Sequence, residues 1–347
     1  MSLLGPAGSD FDLPALVRDA RRLADQGVRM GTSSWKYPGW CGTLYDEQRY
    51  LHHGRFSTAK FERECLAEYA SCLPTVGVDA SYYTLPDPQR TARMFETALA
   101  VNPEFQFGFK VTDCITARHF PRLARHGPRA GRDNPDFLDV GLFRRGFLDV
   151  LEPWREHVGP LMFEFSTLHK RDFERGRDFL DALDGFLAEL PTGWHYAVEV
   201  RNPSLLQPEY FDTLARHGVA HVFTSWHRMP PLAEQLRLSA DSGAEPPFGC
   251  ARLLLKPGRA YQQAVDAFAP YTELREPQAE VRAAATDWIR ELLQRPGAVT
   301  SGGSTTGKRP RRAWIYVNNR LEGHAPGTLA ALIKASHDAR SDSSPAG

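Results

Sequence analysis

The residues with the clearest chemical potential are Glu199 and Arg201, in the segment HYAVEVRNP at 195–203. Side chains alternate along a strand, so these two share one face while the apolar residues around them face the other way. The rise per residue places the two charged groups about 7 Å apart along the strand. A carboxylate and a guanidinium at the C-terminal end of an otherwise apolar strand are typical of a parallel strand that delivers side chains into a site.

Four other segments repeat this layout, with polar residues on one face of a predicted strand and charges late in most of them. The residues that share such a face are Asp79, Ser81 and Tyr83, then Gln106, Gly108, Lys110 and Thr112, then Glu164 and Ser166, and finally Arg252, Leu254 and Lys256. We interpret the common direction of these polar faces as the interior of a barrel.

Two carboxylates, Glu164 and Glu199, end neighbouring predicted strands. Adjacent strands lie about 4.8 Å apart, so the carboxylates can approach to about 5 Å, the spacing of a retaining glycosidase pair. The alternative is that Lys110, Arg201 or Arg252 neutralises each of them in a structural network, since buried charges need such partners. The same three cations, together with Lys256, supply the positive field for an anionic substrate.

The segment EGHAP at 322–326 follows the last predicted strand and enters a helix, with Pro326 early in that helix. His324 titrates near neutrality and helix N-termini bind anions, so a general base or an anion site is one interpretation. Helix capping and loop bracing are the other. Asn318 and Asn319 end the strand and can orient a ligand, although asparagine is also common there for turn reasons alone.

Aromatic residues gather in the predicted loops at the same end of the strands. Trp35, Tyr37 and Trp40 lie in the loop after the first strand, and Trp226 follows the sixth. Their faces suit stacking on a sugar or a base, and Tyr83 joins them as a candidate substrate contact. The alternative is a hydrophobic lid that packs on itself. Tyr82 is expected to face away from Tyr83, into the core.

Metal and nucleotide motifs are weak in this sequence. Carboxylates and histidines that could bind a divalent metal are expected near one rim: Glu164, Glu199, His227, Glu322 and His324. No H-E-x-x-H motif or tight ligand spacing occurs among them. The sequence therefore leaves open whether a metal cofactor binds. GSTTGK at 303–308 lacks the first glycine of a phosphate loop and follows no strand, so it reads as linker. KRPRR at 308–312 reads as a solvated loop rather than a nucleic-acid contact.

Eight predicted strands, each followed by a helix, position these residues. The strands cover about 28–35, 76–83, 105–111, 160–165, 195–201, 220–226, 251–256 and 313–319. Alternation of this kind favours parallel strands with right-handed crossovers, and eight such units close into a (β/α)₈ TIM barrel. We therefore predict an N-terminal arm and helix over 1–27, one barrel domain over 28–338, a flexible insertion at 297–312 on the face opposite the site, and a disordered tail at 339–347.

The totals exclude several classes of protein. The chain has 347 residues, with 42 Lys and Arg against 42 Asp and Glu, so its net charge gives no global attraction to nucleic acid or membrane. The five cysteines are an odd number without a C-x-x-C motif, which indicates a reducing cytoplasm rather than a disulfide framework. No apolar run approaches a membrane span, and the N-terminus lacks the features of a signal peptide.

Several motifs, in order, resemble the YecE-like family: GTSSWKYPGW at 31–40, DASYYTLP at 79–86, FGFKVTDCIT at 107–116, VEVRNPS at 198–204, SWHRMPPLAEQL at 225–236 and YVNNRLEGHAPGTL at 316–329. The resemblance covers about residues 28–335 and implies a TIM barrel with a shared rim site, but no settled reaction. This chain departs from the pattern in strand seven, where RLLLKPGR replaces a shorter Arg-Leu-His-Gly-Arg run and its histidine. The segment 297–312 resembles an insertion.

Two classes of function fit these observations. The first is an enzyme, such as a nuclease-like or glycosidase-like hydrolase, that acts at the C-terminal rim on an anionic, ring-containing ligand: a phosphosugar, a nucleotide or a nucleic acid. The second is a barrel that binds such a ligand without catalysis. Perturbed pKa values on Glu164 or Glu199 in an open pocket favour the first, and complete pairing of the rim charges favours the second. The oligomeric state is left open.

Overall fold

Eight parallel strands close into a barrel in the computed structural model, which describes residues 11–294 and 312–338. Each strand pairs with its neighbours in the chain, and the first pairs with the last from Val28 opposite Ala313 to Thr32 opposite Val317. The strands are β1 (Val28–Thr32), β2 (Thr75–Val78), β3 (Gln106–Lys110), β4 (Val158–Phe165), β5 (His195–Val200), β6 (Ala220–Ser225), β7 (Gly249–Leu253) and β8 (Ala313–Val317). This confirms the predicted barrel.

Helices surround the barrel and follow the strands in the predicted alternation. The longer ones are α1 (Leu13–Asp25), α2 (Thr58–Cys72), α3 (Pro88–Leu99), α4 (Gly176–Ala188), α5 (Pro208–Arg216), α6 (Leu232–Asp241), α7 (Tyr261–Phe268), α8 (Ala279–Gln294) and α9 (Ala325–Asp338). Local sequence sets several starts: Asp12, Ser57 and Asp87 each accept a hydrogen bond from a free backbone N–H in the first turn of α1, α2 and α3.

Shorter elements fill the connections. One helical stretch joins Val140–Phe143, a π-helical turn at Arg144–Leu148 and Asp149–Leu151. Single turns of α-helix lie at Asp113–Thr116 and Asn319–Glu322. Turns of 3₁₀-helix occupy Pro38–Trp40, Glu47–Tyr50, Asp79–Tyr82, Ala124–Arg129, Glu152–His157 and Pro203–Leu205, and a small hairpin pairs Leu51–His52 with Arg55–Phe56.

Strand ends differ from the sequence prediction at one important place. The second strand was expected to run to residue 83, but it ends at Val78 because Asp79–Tyr82 forms a turn of 3₁₀-helix. The period of about three residues in that turn replaces the alternation of a strand, so the shared face predicted for Asp79, Ser81 and Tyr83 is wrong. The predicted N-terminal helix is present as α1. The predicted tail at 339–347 and residues 297–311 of the predicted insertion lie outside the described residues.

The barrel interior consists of an apolar layer below a polar one. Alternation places Met162, Ala197, Val222, Cys250 and Tyr316 in one buried apolar group inside the barrel. Two residues further along four of these strands stand Glu164, Glu199, Thr224 and Arg252, all buried. The charged side chains therefore sit on an apolar floor at the C-terminal end of the barrel.

Gly108 is required by the packing of this floor. A Cβ atom at this position would overlap the hydroxyl of Tyr316, whose ring is fully buried. We expect Gly108→Ala to lower the free energy of unfolding by about 1–3 kcal/mol, the usual cost of overpacking, in a urea titration. Gly185→Ala is the matched control: its Cβ would meet nothing within 4 Å, so alanine in α4 should raise stability by about 0.5–1 kcal/mol. Equal stabilities for the two variants would contradict the packing argument.

None of the helices among residues 11–294 and 312–338 is both long and apolar enough to cross a membrane. All five cysteines are free thiols.

Candidate functional site

Six ionisable side chains meet at the C-terminal end of the barrel, and we call them the charged cluster: Asp79, Lys110, Glu164, Glu199, Arg201 and Arg252. Five of the parallel strands deliver them. Asp79 directly follows β2 and Arg201 directly follows β5, while the other four stand within strands. Three carboxylates face three cations, so the charged cluster is neutral overall.

Glu164 is the centre of the charged cluster. Its Oε2 atom lies 2.8 Å from Lys110 Nζ, 2.9 Å from Arg201 Nη2 and 2.8 Å from Arg252 Nη1. Burial by itself would raise the pKa of Glu164, but the three surrounding cations outweigh it and hold that pKa well below its usual value. Glu164 is therefore an ionised carboxylate at neutral pH.

Glu199 stands opposite Glu164 in the register of β4 and β5 and is fully buried. Its Oε1 atom lies 2.5 Å from Arg201 Nη2, and its Oε2 accepts a hydrogen bond of 2.6 Å from Arg252 Nη1. The same two guanidinium groups thus bridge both glutamates. Both carboxylates are held by the same cations, so the contacts match the structural network rather than a glycosidase pair.

Arg252 joins all three carboxylates. Besides the two glutamates, its Nη2 donates to Asp79 Oδ1 at 2.7 Å, and only 2% of the residue is exposed. Asp79 is the most exposed carboxylate of the charged cluster, with 28% of its side chain accessible. The cluster therefore runs from a closed interior at Glu199 to an open edge at Asp79.

Arg201 has donors that the charged cluster does not use. Its Nη2 makes both ion pairs, whereas Nε and Nη1 are buried and lack a hydrogen-bond partner among the described residues. Its guanidinium carbon lies 3.9 Å from the centre of the Trp226 ring, which holds the plane in place. A buried charged donor without a partner costs about 1–3 kcal/mol or more. An acceptor from a ligand would remove that cost.

Tyr82, not Tyr83, lies against the charged cluster. Lys110 Nζ stands 3.5 Å from the centre of the Tyr82 ring, and the Tyr82 hydroxyl is 3.5 Å from Ser166 Oγ. Tyr83 instead points outward and is 54% exposed. Tyr82 is buried, as expected from the sequence, but strand alternation did not predict that its ring contacts Lys110, because a 3₁₀ turn replaces the strand here.

Lys256 lies away from the charged cluster. The strand β7 ends at Leu253, so alternation no longer carries Lys256 to the interior. Its Nζ is 2.9 Å from Glu276 Oε1, and Arg259 binds the other oxygen of the same carboxylate. Hydrogen bonds from Lys256 and Arg259 lower the pKa of Glu276 to about 2. The positive charge of Lys256 is therefore committed to a separate rim ion pair.

Asn318 and Asn319 serve local backbone structure. Asn318 Oδ1 accepts a hydrogen bond of 3.0 Å from the N–H of Arg320 and caps the helical turn Asn319–Glu322. Asn319 Oδ1 accepts from Trp40 Nε1 at 3.1 Å and from the N–H of Ala325 at 2.8 Å. Both carboxamide oxygens thus accept hydrogen bonds from the local backbone, which is the turn role of asparagine at strand ends rather than ligand binding.

His324 and Glu322 also brace the chain. His324 Nδ1 accepts from the N–H of Gly327 at 3.1 Å, its Nε2 lies 3.2 Å from Thr43 Oγ1, and burial lowers its pKa to about 4. A neutral imidazole held this way matches loop bracing. Glu322 is fully buried and receives two hydrogen bonds, of 2.8 and 2.6 Å, from Arg282.

The aromatic residues of the first loop pack mainly on one another. Tyr37 lies 4.9 Å from Trp40 and 5.6 Å from Tyr271 between ring centres, and Trp35 is only 9% exposed. This arrangement matches the self-packing lid more closely than a row of open stacking surfaces. Trp226 differs, because the guanidinium of Arg201, a member of the charged cluster, lies over its ring.

Metal ligands do not converge in the described ranges. Within them, no group of three or more His, Cys, Asp or Glu side chains is arranged to hold a metal ion. Of the five candidates from the sequence, Glu164 and Glu199 belong to the charged cluster, Glu322 pairs with Arg282 and His324 braces a loop, whereas His227 lies in the loop after β6.

Stability should depend on pH through Glu164. Its pKa is lowered in the folded state, so its contribution is complete above the unfolded value near 4.5 and is lost as the pH falls towards the folded value. We expect Glu164→Gln to be less stable than wild type at pH 6 and the difference to narrow between pH 5 and pH 3. Urea titrations across that range measure it. Asp287→Asn, at an exposed helix carboxylate, is the control and should show a small difference throughout. If the stability difference between Glu164→Gln and wild type stayed constant across this pH range, the lowered pKa of Glu164 would be contradicted.

The fold and the charged cluster define a (β/α)₈ barrel with a polar site at the carboxyl ends of its strands, where such barrels bind their ligands. The chain belongs to the family described as "Protein of unknown function DUF72", whose model matches residues 29–346. A search of curated proteins found no match.

Two solved structures are similar to this chain. A DUF72 family protein from Thermotoga maritima is 17% identical with a TM-score of 0.53, covering 88% of this chain and 97% of that one. The likeness supports the shared fold. An endo-β-N-acetylglucosaminidase from Cordyceps militaris is 11% identical with a TM-score of 0.40, covering 97% of this chain and 100% of that one. That likeness is too low to bear on function.

Proposed function

We propose that the protein is a YecE-like member of the DUF72 family that binds a small anionic, ring-containing ligand, a phosphosugar or a nucleotide, at the C-terminal mouth of the barrel. Arg201 binds the anion, and Trp226 holds the guanidinium of Arg201 in position. The exposed ring of Tyr83 is the stacking surface for the ligand ring. The five free cysteines fit a reducing compartment, and we propose the cytoplasm.

The unused donors of Arg201 are the observation that carries this proposal. Nε and Nη1 are two separate donors on either side of Nη2 in the guanidinium plane, and each can donate a hydrogen bond to an oxygen of an anion. Nη2 is anchored by Glu164 and Glu199, so the two free donors are fixed in space before a ligand arrives. Because the charged cluster is neutral overall, its three carboxylates do not give the site a net negative charge that would repel the anion.

Pairing of the charges favours binding over catalysis, but Glu164 supports a hydrolase as the second candidate. All three ion pairs of Glu164 are made to Oε2, and 10% of its side chain is accessible, whereas none of the Glu199 side chain is. In this variant of the proposal Glu164 accepts a hydrogen bond from the attacking water at its other oxygen and orients it. Glu199 positions the two arginines.

A ligand panel tests the proposed function. We expect adenosine 5′-monophosphate and ribose 5-phosphate, at millimolar concentration, to raise the unfolding temperature, since a ligand that binds only the folded state stabilises it. Inorganic phosphate should act more weakly because it lacks the ring, and uncharged adenosine and ribose should have little effect. Equal shifts with adenosine and its monophosphate, or no shift with any anion, would overturn the proposal. Isothermal titration calorimetry then gives the dissociation constants.

A further inference from the structure

Two exposed tyrosines at the mouth of the barrel each carry an arginine on one face. Tyr83 is 54% exposed with the guanidinium carbon of Arg125 at 4.7 Å from its ring centre. Tyr261 is 49% exposed with Arg320 at 4.4 Å. We call each a tyrosine–arginine platform. An aromatic ring beside a cation is the combination that proteins use to stack a base and hold its phosphate.

The platforms flank the open edge of the charged cluster. Tyr83 follows β2 by five residues, and Tyr261 opens α7, the helix after β7. Tyr83 lies four residues after Asp79, and Asp79 accepts a hydrogen bond of 2.7 Å from Arg252 of β7, the strand that leads to Tyr261. Both platforms therefore follow strands that the Asp79–Arg252 hydrogen bond joins at the C-terminal end of the barrel.

A basic loop extends from the first platform. Residues 117–132 contain five arginines and no aspartate or glutamate, in a chain whose net charge is zero. Four of these arginines are exposed, namely Arg122, Arg125, Arg129 and Arg132. Arg125 lies 3.6 Å from Asp113, and Arg129 donates to the thiol of Cys114, so the loop is anchored while its charge faces outward. A local positive surface of this kind attracts a polyanion rather than a neutral polysaccharide.

We propose that the mouth of this barrel binds single-stranded nucleic acid, with bases stacked on the two tyrosine–arginine platforms and phosphates on the arginines of residues 117–132. The inference rests on the proposed function, because one phosphate of the strand accepts from the free donors of Arg201. A single strand fits better than a duplex, since the exposed tyrosine faces can stack only on bases that are not already stacked in pairs. Stacking and phosphate contacts of this type do not depend on sequence.

Fluorescence anisotropy with a labelled twelve-residue oligothymidylate tests this inference on the full chain. We expect the wild type to bind the single strand at low salt, and to bind a duplex of the same length at least about 5-fold more weakly. Affinity should fall linearly with salt on a logarithmic plot. Tyr261→Ala should weaken binding of the single strand by about 5-fold or more, whereas Tyr261→Phe should retain it. Arg175→Ala, at an exposed arginine beside α4 with 75% of its side chain accessible, is the control and should bind as wild type.

The outcomes separate this inference from the proposed function. If adenosine 5′-monophosphate binds but the oligonucleotide binds no more tightly, the platforms do not extend the site and the inference fails alone. If neither binds, the proposed function fails with it. Tighter binding of the duplex, or a Tyr261→Ala variant with wild-type affinity and a wild-type circular dichroism melt, would also overturn the inference.

Discussion

The Arg252→Ala variant should lose about 3–5 kcal/mol of unfolding free energy at pH 7, the range for removing one partner of a buried ion pair. Arg252 donates to Asp79, Glu164 and Glu199 at 2.6–2.8 Å from a fully enclosed position. Without it, three carboxylates face only Lys110 and Arg201, and Glu199 has no route to water because its side chain is completely buried. The uncompensated charge, rather than the lost contacts alone, sets the size of the effect.

A urea titration measures this loss, with the m-value checked for a common two-state transition. Arg237→Ala is the control, because it removes only an exposed pair with Asp241 one helical turn away, and it should change stability by about 0.5 kcal/mol or less. An Arg252→Ala variant within about 1 kcal/mol of wild type would show that the charged cluster does not hold the top of the barrel together.

The Arg201→Lys variant should bind adenosine 5′-monophosphate roughly 10- to 150-fold more weakly than wild type, from about 1.5–3 kcal/mol for hydrogen bonds to a charged group. Lysine keeps a positive charge beside Glu164 and Glu199, so the fold should survive. It lacks the rigidly placed Nε and Nη1 donors, and its ammonium group is a single flexible point charge. The substitution therefore separates the charge of Arg201 from its geometry.

Isothermal titration calorimetry measures that change, and Glu199→Gln provides the contrast. This nearly isosteric replacement removes a charge shared by Arg201 and Arg252, so we expect lower stability with nucleotide affinity retained per folded molecule. A Glu199→Gln variant that keeps its stability but loses turnover on a phosphorylated substrate would instead make the barrel an enzyme with Glu199 in its chemistry. Wild-type affinity in Arg201→Lys would remove Arg201 from the ligand site.

Strand alternation accounts for the part of the site that could be predicted from sequence. Five members of the charged cluster stand in or directly after a strand with the two-residue period intact, so face assignment followed from spacing alone: Lys110, Glu164, Glu199, Arg201 and Arg252. The closed parallel barrel followed in the same way, because eight alternating units have few other ways to bury their apolar faces.

The remaining features of the site depend on local turns and side-chain conformations, which the spacing of residue types does not determine. A turn of 3₁₀-helix after Val78 brought Tyr82 to Lys110 and turned Tyr83 outward. Rim residues that follow a strand by several positions are placed by hydrogen bonds to the nearby backbone. Asn319, for example, accepts a hydrogen bond from the N–H of Ala325. Which nitrogens of Arg201 stay free is a matter of side-chain rotamers and of the position of Trp226, and neither can be read from a list of residue types.

The most direct test of the central claim is an NMR titration that observes the Nε–H group of Arg201 itself. In a ¹⁵N-labelled sample, the Arg201 signal is assigned as the one missing from the Arg201→Lys spectrum, and adenosine 5′-monophosphate is then added. This signal should move downfield and saturate with the calorimetric dissociation constant, because a phosphate oxygen accepts from a donor that lacks a partner in the described structure. An Arg201 signal that stays in place while the nucleotide binds would contradict the account, since the anion would then sit elsewhere.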